Sequence, residues 1–169
     1  MTDSPADLRD LYYGFGRAAE LAQLLEVEAG NLALAFVSLA FDESTLRNED
    51  KDLFRAIVED VNKRTFGNLL KQICKIGEVS KEIETIINNA LEKRNYLMHR
   101  FFRAHNLAIH SEEGRVAMRE EVAEIYKALS LAHTVLSGMT HTFNAVWGRP
   151  NITEEQARTF LSEARRLEI

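Results

Sequence analysis

Breakers and staples are scarce in this chain. Two prolines and eight glycines among 169 residues leave room for long helices and argue against a sheet built on many tight turns. A single cysteine, Cys74, excludes an internal disulfide and a cysteine-rich metal site, and fits a reducing cytosol. No apolar run approaches the ~18–20 residues that a membrane span needs; residues 32–41 form too short a stretch. Met1-Thr2-Asp3-Ser4-Pro5-Ala6-Asp7 offers no basic segment leading into an apolar core, so no signal peptide is expected. Internal repeats and low-complexity tracts are also missing. The expectation is one soluble cytoplasmic domain spanning residues 1–169, with no membrane partner.

What is present is ordinary for a globular protein: 46% hydrophobic and 28% charged residues, in a chain long enough to bury a core without staples. The net charge of −5 speaks against general nucleic-acid binding, but its distribution is uneven. Residues 1–60 carry five cations against thirteen carboxylates. Lys93 to His110 carries Lys93, Arg94, Arg100, Arg103, His99, His105 and His110, and no acid. Such an island on an acidic body suits a phosphate site. It equally suits a solvated helix end, since C-terminal turns favour cations.

The apolar spacing predicts helices throughout. Ser4-Pro5-Ala6-Asp7 reads as a helix start, followed by Leu8, Leu11, Tyr12 and Phe15, then Leu21, Leu24, Leu25, Leu32, Phe36 and Leu39. This first helix is expected to reach about Phe41, with a possible bend near Gly14 and Gly16 or at Gly30. A second covers about Glu49 to Val61. Thr65 caps a third, which carries Leu69, Leu70, Ile73 and a small buried thiol at Cys74, and stops at Gly77. Ser80 caps a central helix over about Lys81–Arg103. After a loop at Ala104–His110, a long helix starts at Ser111 with the stripe Val122, Ile125, Tyr126, Leu129, His133, Leu136, Thr140, Phe143 and Trp147. His133 on that stripe reads as a hydrogen-bonded core histidine. Thr153-Glu154-Glu155-Gln156 is a capping box opening a last helix with Phe160, Leu161 and Ala164 inward. No stretch alternates as a strand does. The expected fold is all-α, an up-and-down bundle of about five to six helices.

The central helix breaks the rule of apolar inside and polar outside. Ile83, Ile86, Ile87, Ala90, Leu97 and Phe101 make one stripe, and Arg94 falls near its middle. A guanidinium there is costly unless it is paired or faces a wet cavity. Asn95 and His99, four apart, share a second face with Asn88. Broken rules of this kind point to function.

Common catalytic sets are missing: no Walker-type loop, no Gly-x-Ser-x-Gly, no His-Glu-x-x-His and no inward Glu-x-x-His pairs. His105 and His110, five apart without a carboxylate between them, make a poor metal pair. Arg94, Asn95 and His99 remain. Histidine exchanges a proton near neutral pH. Arginine suits a phosphate whose charge grows in the transition state, and Asn95 can orient either. That set suffices for metal-free RNA cleavage by attack of the 2′-hydroxyl on the neighbouring phosphate. One helix offers one histidine, so a two-fold pair of these helices would supply both a base and an acid.

Arg94-Asn95, the four residues between Arg94 and His99, and the aromatic pair Phe101-Phe102 resemble the signature of HEPN-domain proteins: Arg, often a polar residue, four to six spacers, then His. Thr65-Phe66-Gly67-Asn68-Leu69-Leu70 resembles a helix opening of bacterial relatives. The resemblance implies a helical homodimer whose motif helices face one cleft. It also implies metal-independent endoribonuclease activity without cofactor, leaving a 2′,3′-cyclic phosphate and a 5′-hydroxyl, in toxin–antitoxin pairs, phage defence or RNA processing. RNA, a second copy and an antitoxin protein are the implied partners. Arg94 would then stabilise the phosphate, His99 would act as base or acid, and Asn95 would position them. Tyr96 and Phe102 would shape the cleft, and Arg100 and Arg103 could grip the RNA backbone. The competing expectation is a non-catalytic binding module in which Arg94, Asn95 and His99 form a polar network fixing helix register, or hold a nucleotide without cleaving it.

Overall fold

The computed structural model describes residues 5–38, 59, 66–76 and 79–146, and among these residues every regular element is helical. Helix α1 spans Pro5–Ser38, α2 Phe66–Ile76, α3 Lys81–His99, α4 the single turn Phe101–Ala104, and α5 Glu112–Val146, with a 3-10 turn at Ala108–His110 before α5. The fold is all-α. Apart from Glu59, the helices expected at Glu49–Val61 and from Thr153 onward lie outside the described residues, as do the Ser4 and Thr65 caps, Gly77, Leu39, Phe41 and Trp147.

The two long helices are built on repeats of three and four. On α1, Leu11, Ala18, Ala22, Leu25, Ala29 and Leu32 are buried; on α5, Met118, Val122, Ile125, Leu129, Ala132 and Leu136 are. That spacing lays one seam along each helix. The two run side by side in the same direction. Arg119 pairs with Asp7 at one end, and Arg17 donates to the Tyr126 hydroxyl at 3.1 Å further along. Helix α3 runs the opposite way along α1, as Phe102 meets Tyr12 and Phe101 meets Phe15, while Arg94 reaches Glu26. Each long helix extends about 50 Å at 1.5 Å per residue. None of the described helices is both long and apolar enough to cross a membrane.

Sequence expectations hold for most of the core and fail at identifiable places. Leu11, Leu25, Leu32, Ile87, Leu97, Val122, Ile125, Leu129 and Leu136 are buried, whereas Tyr12 and Leu24 are exposed. Helix α1 continues through Gly14, Gly16 and Gly30 without a break. Ser80 caps α3 as expected, its Oγ accepting from the Ile83 N–H at 3.4 Å. Cys74 is half-buried against the core, and burial, together with the nearby Glu84 carboxylate, pushes its thiol pKa up. His133 is half-buried, with no hydrogen bond among the described residues, so it is not the bonded core histidine expected.

The central helix is shorter than its periodicity predicts. It ends at His99, where Arg100 leaves helical geometry at φ −130°, ψ −24°, and α4 begins one residue later. The break re-aims the aromatic pair. Phe101 goes fully into the core, and Phe102 turns to α1, its ring 4.7 Å from that of Phe15. The following segment is bolted to α5 by backbone contact. A Cβ on Gly114 would stand 2.0 Å from the Ala108 carbonyl oxygen, so only glycine admits this approach. Ser111 Oγ accepts from the Gly114 N–H at 3.0 Å, and buried Arg115 donates to the Ile109 carbonyl at 3.2 Å.

Candidate functional site

Arg94 lies where α3 meets α1. Its guanidinium pairs with Glu26 and donates through Nη1 to Asn95 Oδ1 at 3.0 Å. The arginine in the apolar stripe thus has a counter-ion, which is the condition its position imposes. Its Nε is buried with no hydrogen-bond partner among the described residues. Asn95 and His99 are exposed, one helical turn apart on the same face. Arg94 and His99, five positions apart, are separated by about 140° round the helix and about 7.5 Å along it. Arg94 therefore looks toward α1, and His99 stands in the open last turn.

Beyond His99 the surface is cationic. Arg100 and Arg103 are exposed and have no ion-pair partner among the described residues. His110 is exposed at the end of the 3-10 turn. Among the described residues, the acid-free run Lys93–His110 meets a carboxylate at two points: Arg94 at Glu26, and His105 at Glu121.

Tyr96 and Phe102 are half-buried and turned toward the body of the protein. Phe102 packs on Tyr12 and Phe15. Tyr96 meets the edge of Phe101, centroids 6.2 Å apart at 86°, and its hydroxyl lies 3.4 Å from His105 Nε2. That same nitrogen is 2.5 Å from Glu121 Oε2. A carboxylate can only accept, so Nε2 carries its proton toward Glu121. A protonated Nε2 cannot also accept from the phenol, so the proton of the Tyr96 hydroxyl is left to the Glu121 carboxylate on the far side of that nitrogen. Burial first, then the Glu121 charge and this hydrogen bond, raise the Tyr96 pKa above its ordinary value.

The Tyr96–His105–Glu121 cluster carries no signal in the sequence, where His105 stands out only beside His110 as a weak metal pair. Tyr96 and Glu121 lie on different helices and His105 in the turn between them, so no local period links the three. Among the described residues, no three His, Cys, Asp or Glu side chains gather as a metal would require. A cavity of about 310 Å³ between α1 and α5 is likewise invisible to periodicity; Tyr13, Arg17, Arg119 and Tyr126 are among its lining residues, and none comes from α3. Its arginines are engaged: Arg17 lies 5.0 Å from the Tyr126 ring centroid, and Arg119 pairs with Asp7.

Comparison with known proteins adds nothing to this geometry: no family model matches the chain, and no curated protein or solved structure matches it.

Proposed function

We propose that this chain is a metal-independent endoribonuclease of the HEPN type, working as a cytoplasmic homodimer on RNA, in the role of a toxin held by an antitoxin protein or of a phage-defence nuclease. The full chain in this reading is an up-and-down bundle of five to six helices. The observation that carries the proposal is the last turn of α3. It exposes Asn95 and His99 on one face, beside two arginines with no ion-pair partner among the described residues, while Arg94 is held by side-chain contacts to Glu26 and Asn95.

The chemistry needs no co-reactant. The 2′-hydroxyl oxygen attacks the adjacent phosphorus and its proton passes to one imidazole. The bond to the 5′-oxygen breaks, and that oxygen takes a proton from the second imidazole. One His99 comes from each subunit, so the histidine protonated in the first transfer balances the one deprotonated in the second. Arg94 stabilises the extra negative charge on the phosphoryl oxygens, with Asn95 holding its Nη1. Arg100 and Arg103 contact flanking phosphates, and Tyr96 and Phe102 form the wall behind the motif. The product ends are a 2′,3′-cyclic phosphate and a 5′-hydroxyl.

The test is cleavage of RNA by purified protein in EDTA. Wild type should cut, and His99→Ala should abolish cutting while its helical circular dichroism stays intact. Cutting by that variant would remove the mechanism.

The Glu26–Arg94 pair favours a second reading, a non-catalytic nucleotide- or protein-binding dimerisation module in which Arg94, Asn95 and His99 fix helix register. Under it, the loss of about 1–2 kcal/mol in folding or dimerisation that Arg94→Ala brings comes with no RNA phenotype, and the absent RNA phenotype is what separates it from the nuclease reading.

A further inference from the structure

His99 occupies the last turn of α3, the part of a helix whose carbonyls lack N–H partners and which frays first. The closing backbone bond runs from the Arg100 N–H to the Tyr96 carbonyl at 2.8 Å. Beyond it the chain leaves helical geometry. Asn95, Met98, His99 and Arg100 are exposed, so between Asn95 and Arg100 the packing against the body of the protein falls to Tyr96 and Leu97, with buried Phe101 following. Leu97 is an apolar anchor without directional bonds. Tyr96 is the directional one, edge-on to Phe101 and bonded at its far end to the cluster of His105 and Glu121. His105 is itself held in place, its ring 4.9 Å from Phe101 and its Nε2 2.5 Å from Glu121 Oε2.

We infer that His105 and Glu121 are positioning residues for His99, acting through the Tyr96 hydroxyl to hold the last turn of α3 in one place. Tyr96 and His99 are three residues apart and neighbours on the helix surface, so a displacement of the first carries the second with it. Neither His105 nor Glu121 touches RNA. Their contribution is geometric, and a proton-transfer group displaced by about 1 Å can lose up to a hundredfold in rate. The inference rests on the nuclease reading for its purpose, although the clamp itself does not.

The experiment uses the full chain and two readouts. Tyr96→Phe keeps the ring against Phe101 and removes the hydroxyl that meets His105 and Glu121. His105→Ala removes the neighbour that orients the carboxylate. Glu121→Gln keeps one accepting oxygen and serves as the conservative variant. In Tyr96→Phe and His105→Ala, amide hydrogen exchange at Leu97–Arg100 should quicken by about tenfold while the buried turns of α5 stay protected. RNA cleavage should lose about tenfold or more in kcat with KM within about twofold, and Glu121→Gln should retain most of the rate. Unchanged exchange in Tyr96→Phe, or a loss confined to KM, would overturn the inference. A wild type that cuts no RNA would sink the nuclease reading and the clamp's catalytic purpose with it. The exchange rates would still decide whether the clamp holds the helix end, so the two failures stay distinguishable.

Discussion

Glu26 on α1 is the counter-ion of Arg94 on α3, an ion pair between residues 68 positions apart in the chain. Both side chains are partly covered, 22% exposed for Arg94 and 35% for Glu26, so the pair lies between the surface and buried limits of such interactions. Removing one partner strands the other in a half-dry seam. Glu26→Ala and Arg94→Ala should each lower stability by about 1–2 kcal/mol in urea unfolding. The double variant should cost clearly less than the sum of the two, because each single change leaves a charge unpaired. Strict additivity would mean that the two groups do not interact in solution.

Two glycines give opposite predictions. Gly114→Ala drives a methyl into the Ala108 carbonyl at 2.0 Å, and backbone cannot swing aside as a side chain can. About 1–3 kcal/mol of destabilisation is expected, with disruption of the 3-10 turn. Gly138, inside α5, has nothing within 4 Å of a built Cβ. Gly138→Ala should stabilise by about 0.5–1 kcal/mol through helix propensity alone. Chemical denaturation of both variants checks the pair, and equal effects would contradict the close approach at Ala108.

The contrast between these positions shows what the sequence could carry. Branched and long aliphatic residues at 122, 125, 129 and 136 announce a helix seam by spacing, and they are buried. Ala18, Ala22, Ala29 and Ala132 are equally buried but announce nothing, because alanine is as common on exposed helix faces. How closely a neighbouring helix approaches decides its burial. The break at Arg100 follows no glycine or proline; it accompanies the aromatic pair turning to two different neighbours. The sequence marks Arg94 as needing a partner, yet the choice of Glu26 among the carboxylates of residues 1–60 is made by the direction of α1. The link between His105 and Glu121 depends likewise on how the 101–111 segment folds back over α5.

Arg100 and Arg103 carry the salt dependence of RNA binding in the nuclease reading. Both are exposed, so replacing them disturbs no core packing. Arg100→Gln and Arg103→Gln should each weaken binding of a single-stranded oligoribonucleotide without changing where it is cut. Each should also lower the slope of log K against log salt by about 0.7 for every phosphate left without its cation. Fluorescence anisotropy across a salt series, with the His99→Ala protein to prevent cleavage, measures this. An unchanged slope in the doubly substituted protein would remove both residues from the RNA-binding surface.

Tyr96 supplies a pH prediction whose sign follows from its surroundings. Burial, and then the Glu121 carboxylate beside it, raise its phenol above the ordinary 10.0. The folded protein therefore keeps the Tyr96 proton at pH values where the unfolded chain has already released it. In that window the native state binds more protons, and stability falls as pH rises. The contribution is intact below about pH 10 and drains away as pH climbs through the folded value. Urea unfolding between about pH 9 and pH 11 should show a steeper decline for wild type than for Tyr96→Phe, which has no proton to lose. A phenolate titration gives an independent check. One of the four tyrosines should ionise late in the folded protein, and that late step should vanish in the Phe variant. Parallel stability curves for the two proteins, with no late step in wild type, would mean that the hydroxyl is open to water and not held against Glu121.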